Sequence, residues 1–230
     1  MENVGSDVQQ RERHPRNQTL MKATPFLANL LLAFLCLIWA CSSTQTERVD
    51  AAAPAEIDPA KILIVYLSRT QNTKAVAEMI QRKVGGKLVA IELQNPYPEN
   101  YQATVAQVAR ENETGFLPPL KTKIDSIQKY DVVFIGFPTW GMRLPPPMKS
   151  FLKQYNLSGK TVIPFNTNGG YGVGSTFETV AQLSPNSTIL EGYTTRGGLE
   201  RDGQLLMIKE EKARQTEAEV KSWLEKIKML

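Results

Sequence analysis

KILIVYLSRTQNT, residues Lys61 to Thr73, joins six consecutive apolar residues to six polar ones. An unbroken apolar run without alternation fits a strand covered on both faces, as in the middle of a parallel sheet. The polar turn opens a helix, because Val76, Met79, Ile80 and Val84 recur at helical spacing before Gly85-Gly86 ends it. A helix start carries unpaired backbone N–H groups and the positive end of the helix dipole. Ser68, Thr70, Asn72 and Thr73 are therefore candidates to surround a phosphate. The same residue types are the preferred helix caps, so the turn by itself leaves both readings open.

Outward from this stretch the pattern repeats. Leu88 to Glu92 is a shorter strand, and a helix is expected from about Glu99 to Asn112. Asp131 to Phe137, DVVFIGF, is a second continuous apolar strand; it runs into the turn Pro138-Thr139-Trp140-Gly141 and then a helix marked by Met148, Phe151, Leu152 and Tyr155. Thr161 to Phe165 is a fourth strand, with Pro164 near its end, and it empties into a glycine-rich loop from Asn166 to Ser175. A helix to about Leu183, a last strand from Thr188 to Tyr193, and a final helix striped by Val220, Trp223, Leu224 and Ile227 complete the domain. Strands alternating with helices imply an α/β fold with a parallel sheet wound on both faces. Its ligand crevice belongs at the carboxyl ends of the strands, where all three polar or glycine-rich turns fall.

Composition narrows the chemistry. His14, Cys36 and Cys41 are the only histidine and cysteines, so everything after residue 41 lacks both types. That excludes from the folded domain a Ser-His-Asp triad, a cysteine nucleophile, a redox CxxC pair and the usual zinc sites. If the domain does chemistry, a bound cofactor is expected to carry it. The net charge of +4 is modest and spread along the chain, without basic runs interleaved with aromatics, which argues against nucleic acid as a partner.

Residues 1–41 read as a targeting segment. Polar and basic residues up to Lys22 precede an apolar run from Phe26 to Ala40, short of the roughly 20 residues that span a bilayer. The run ends in Ile38-Trp39-Ala40-Cys41, which resembles the lipobox of bacterial lipoproteins and implies lipidation at Cys41. Met21-Lys22 would itself make a typical signal start. Residues 42–60 have no apolar periodicity and are expected to be a flexible tether of roughly 25 Å, leaving residues 61–230 as the folded domain.

With three loops in order, the chain resembles a flavodoxin. The family's phosphate loop is matched by Ser68-Arg69-Thr70-Gln71-Asn72-Thr73, with Gln71 where the family has glycine. Its loop after the third strand is matched by Pro138-Thr139-Trp140-Gly141, and its loop after the fourth by Thr167-Asn168-Gly169-Gly170-Tyr171. The resemblance implies a doubly wound five-stranded sheet of order 2-1-3-4-5 and an FMN site, with Trp140 and Tyr171 at the two faces of the flavin. It also implies that Gly141 tunes the flavin's potentials. The rim offers Met142, Arg143, Asn168 and Gly169 in place of the family's frequent carboxylates, so negative charge on the flavin is expected to meet less repulsion.

Three functions fit these residues. The first is an FMN-binding electron carrier held outside the cytoplasmic membrane by its N-terminal anchor, exchanging electrons with larger redox partner proteins. The second is an FMN enzyme that takes hydride from a nicotinamide cofactor and reduces a quinone-type acceptor. The third is a flavin-free interaction module.

Overall fold

The computed structural model describes residues 57–230. The targeting segment, Cys41 and nearly all of the tether lie outside the described residues.

Five strand positions make one parallel sheet in the order β2-β1-β3-β4-β5. β1 (Ile62–Tyr66) lies between β2 (Lys87–Ala90) and β3 (Val132–Pro138), and β3 pairs with β4 (Thr161–Asn168). Because side chains alternate along a strand, one set of residues faces each helical layer. Ile62, Ile64, Val132, Phe134, Ile163 and Phe165 meet α1 (Asn72–Val84) and α5 (Glu210–Lys226) through Val76, Ile80, Val220 and Trp223. Leu63, Val65, Val133, Ile135 and Phe137 meet the other layer, which contains α3 (Pro146–Gln154) and α4 (Thr176–Leu183), through Met148, Phe151 and Val180. Burial on both sides explains why these strands carry no polar alternation.

The remaining helix, α2 (Tyr101–Thr114), starts two residues later than its sequence implies. Asn100 caps it by accepting the N–H of Ala103 at 2.9 Å, and Gly115 ends it in the left-handed region at φ 69°. β4 runs three residues beyond the expected Phe165, so Thr167 and Asn168 belong to a strand end. The last strand is split: β5 (Thr188–Ile189) and β6 (Tyr193–Arg196) both pair in parallel with β4. Val162 opposes Ile189 and Phe165 opposes Tyr193, so three steps on β4 match four on its neighbour. Pro164 sits inside that interval and has no N–H to donate, which is why the ladder breaks there and resumes in a new register.

β3 and β4 approach closely at Gly136. A Cβ on Gly136 would lie 2.0 Å from Cζ of Phe165, which is itself fully buried. Gly136→Ala is expected to cost about 1–3 kcal/mol through overpacking. Urea unfolding would register this as a lower midpoint at unchanged m-value.

Candidate functional site

The sheet order reverses at β1: the chain leaves it for β2 on one side and returns to β3 on the other. The carboxyl ends of β1, β3 and β4 frame a crevice of about 110 Å³ at this switch point. Thr70, Asn72 and Thr73 line it from the first turn, Pro138, Thr139 and Trp140 from the second, and Thr167, Asn168 and Gly169 from the third.

Within the first turn the polar groups divide by role. Gln71 takes φ 67° and ψ −4°, so it adopts the left-handed conformation usually given to glycine. Ser68 Oγ accepts the N–H of Lys74 and serves as a cap. The Asn72 side chain is 2% exposed and turned away to the segment before α5. The Thr73 hydroxyl shares a 2.8 Å hydrogen bond with that of Thr167, which ties β1's turn to β4. By helix geometry the N–H groups of Asn72 and Thr73 have no carbonyl partner within α1. Arg69 donates through Nε to both carboxylate oxygens of Glu200 at 2.9 Å, and through its two terminal nitrogens to the carbonyls of Pro98 and Glu99.

The second turn is a tight hairpin. Trp140 and Arg143 exchange backbone hydrogen bonds of 3.2 and 3.0 Å, and both central residues, Gly141 and Met142, have positive φ, the signature of a type I′ turn. The buried Asn166 side chain donates to Thr139 Oγ1, which in turn donates to the carbonyl of Gly172. Ser175 N–H donates to the carbonyl of Met142, so the second and third loops are joined at two points. The half-buried Trp140 ring meets Tyr97 edge to face at 5.5 Å. Tyr97 donates to the buried carboxylate of Glu111; its burial and this bond keep the phenol protonated far above its usual range.

Two findings depart from the sequence reading. Tyr171 does not line the crevice: it is 63% exposed, accepts a hydrogen bond from Arg201, and lies under the Arg201 guanidinium at 5.9 Å. The crevice also contains a carboxylate. Gly198, Leu199 and Glu200 close it from a strap that follows β6, although Arg69 neutralises Glu200. Gly197-Gly198 and Gly203 were the available signal, since glycines bunched after a strand mark a chain that turns back on itself.

The family model for flavodoxin matches residues 61–227. The chain belongs to the flavodoxin family. Solved structures similar to it include a Bacteroides eggerthii protein assigned as a flavoprotein, with 30% identity and a TM-score of 0.59 over 73% of this chain and 97% of the other. A Bacteroides uniformis protein so assigned has 23% identity and a TM-score of 0.59 over 73% and 99% of the two chains. A Lactobacillus acidophilus flavoprotein in complex with FMN has 21% identity and a TM-score of 0.52 over 59% and 92%. At identities below a quarter these last two show a shared fold. No curated protein matches the chain.

In this flavodoxin, Arg69 and nine other residues singled out from the sequence line one crevice, while Ser68, Gln71, Gly141, Gly170 and Tyr171 stand outside it. Gln71 pays for its left-handed backbone with about 1 kcal/mol of strain. Gln71→Gly is expected to raise stability by up to about 1 kcal/mol, and the β-branched Gln71→Val to lower it by more than that. Parallel denaturant titrations of the two variants check the sign of each change.

Proposed function

We propose that the crevice binds FMN and that the protein carries electrons between larger redox partners. The observation that supports this most is the convergence of α1's N-terminal N–H groups, the Thr70 and Thr73 hydroxyls and Trp140 on one crevice. A phosphate takes N–H and O–H donors at a positive helix end, and a flavin ring takes a flat apolar wall. Membership of the flavodoxin family, and the FMN named for the Lactobacillus acidophilus protein, point the same way. Full cofactor pockets occupy ~300–1,000 Å³, so the 110 Å³ crevice suits the phosphate and its sugar-alcohol chain, with Trp140 at the border where the ring begins.

When bound, the flavin supplies the redox chemistry. The chain's own part is to hold and orient it. Thr70, Thr73 and the N–H groups of Asn72 and Thr73 hold the phosphate; Thr139, fixed by Asn166 and Thr167, sets the height of the second loop; Tyr97, anchored on Glu111, limits the tilt of Trp140. None of these roles needs a histidine or a cysteine.

Thr70→Ala combined with Thr73→Val removes two hydroxyl donors at about 1 kcal/mol each. FMN affinity is expected to fall at least tenfold while riboflavin affinity stays unchanged, read by quenching of flavin fluorescence. Equal losses for the two ligands would mean that the turn only caps α1.

The N-terminal sequence supports an extracytoplasmic location, with lipidated Cys41 holding the domain at the membrane through the tether. Cys41→Ala is expected to leave an uncleaved precursor that incorporates no labelled fatty acid. A processed form of unchanged mass in that variant would contradict the anchor.

A further inference from the structure

Outside the crevice, the Trp140–Arg143 hairpin, the loop from Gly169 to Ser175 and the strap after β6 meet at one exposed face. The carbonyl of Met142 accepts the Ser175 N–H at 3.0 Å, and a Cβ on Gly174 would lie 2.2 Å from the same oxygen, so Met142 is pressed against the loop. From the other side Arg201 donates to the Tyr171 hydroxyl at 3.1 Å. Arg196, at the end of β6, passes Gly170 so closely that a Cβ there would lie 3.5 Å from its Nε. Met142, Tyr171, Arg196 and Arg201 are all exposed, Tyr171 to 63%. A lone exposed apolar residue is ordinary, but here two large ones share a face with two guanidiniums, and these are the residue types that protein interfaces favour. The Arg201 guanidinium already lies over the Tyr171 ring at 5.9 Å, so less freedom is lost when a partner immobilises it.

The face is positive. Arg143, next to Met142, and Arg196 form no ion pair among the described residues, and Arg201 pairs with its chain neighbour Asp202 alone. Arg69 takes up the charge of Glu200. Behind the hairpin, burial and then the Arg143 charge push the Lys149 pKa down, so positive potential extends to that side. Glu113 stands with Arg143 at the gap between α2 and the hairpin. Two carboxylates, Glu113 and Asp202, are thus set against Arg143, Lys149, Arg196 and Arg201, which leaves an excess of two positive charges.

We propose that this face docks an acidic protein, with Tyr171 and Met142 at the centre of the contact and Arg196 and Arg201 against the partner's carboxylates. Guanidiniums pair with carboxylates through parallel N–H donors, and an unbalanced positive face repels basic partners. A lipid surface takes a helix with one apolar side, and a nucleic acid takes cations tracking along a groove; this face is a loop with apolar side chains between separated arginines. The partner's role as an electron-exchange protein rests on the proposed function. Asn168 and Gly169 of the same loop line the crevice, so a protein seated here lies beside the bound cofactor.

The probes are a plant-type ferredoxin, a small acidic electron carrier, and cytochrome c, a basic one, each titrated into the FMN-loaded full chain. Saturable ferredoxin binding is expected, at least tenfold weaker at about 200 mM than at about 20 mM salt, with cytochrome c showing none. Arg196→Glu combined with Arg201→Glu should reverse the preference between the two probes while FMN affinity stays within twofold. Binding of neither probe, equal binding of both, or ferredoxin binding that the double variant leaves unchanged would overturn the docking face. Loss of FMN in step with ferredoxin in that variant would show that the face belongs to the cofactor site, and would overturn it also. Binding of phosphatidylglycerol vesicles in place of ferredoxin would assign the face to lipid and overturn it. If the unmutated chain takes up no FMN yet binds ferredoxin through these arginines, the flavin reading fails and the docking face stands.

Discussion

The Asn72 side chain is almost fully buried, and three of its hydrogen bonds join the turn after β1 to the segment before α5. Its amide nitrogen donates to Thr70 Oγ1 and to the carbonyl of Leu205, and its oxygen accepts the N–H groups of Met207 and Ile208. A buried polar group left without partners costs ~1–3 kcal/mol, so this amide strongly favours one arrangement of the two segments. The turn then keeps its left-handed Gln71, α1 begins with open N–H groups, and the strap lies across the crevice. Thr73 carries the constraint on to β4 through Thr167, and Thr139 N–H donates to the Thr167 carbonyl. The three loops of the site thus behave as one body hung from two buried side chains.

Electrostatics at the crevice follow from that placement. The strap brings Glu200 to the crevice proposed to hold a phosphate, and Arg69 answers it from the turn itself. Side chains of both residues are about one-fifth exposed, so solvent screens the pair and its worth lies in position more than in stability.

The sheet and the first two loops were legible because their signals are local. Six apolar residues before Ser68 and the run from Val132 to Phe137 can only be buried on both faces, and Trp140 and Thr139 follow directly from the second run. What was illegible depends on partners distant in the chain. Ser68 and Asn72 look the same in sequence as Thr70, yet one caps α1 and the other bonds to residues more than 130 positions away. Glu200 sits in a stretch with no periodicity, so nothing local places it in the crevice. Tyr171 follows the right glycines, but Arg201 from the same strap holds its hydroxyl. Pro164 was legible as a residue without an N–H and illegible as the point where the last strand divides, because that needs the register of the neighbour.

The central claim is that donors at the start of α1 hold the phosphate of FMN, and the ³¹P resonance of bound FMN tests it most directly. A free phosphate monoester titrates near pH 6. Held by N–H and hydroxyl donors that favour the dianion, the bound phosphate is predicted to keep one chemical shift from pH 5 to pH 8. A bound flavin whose ³¹P signal titrates like that of free FMN would place the phosphate in solvent and contradict the account.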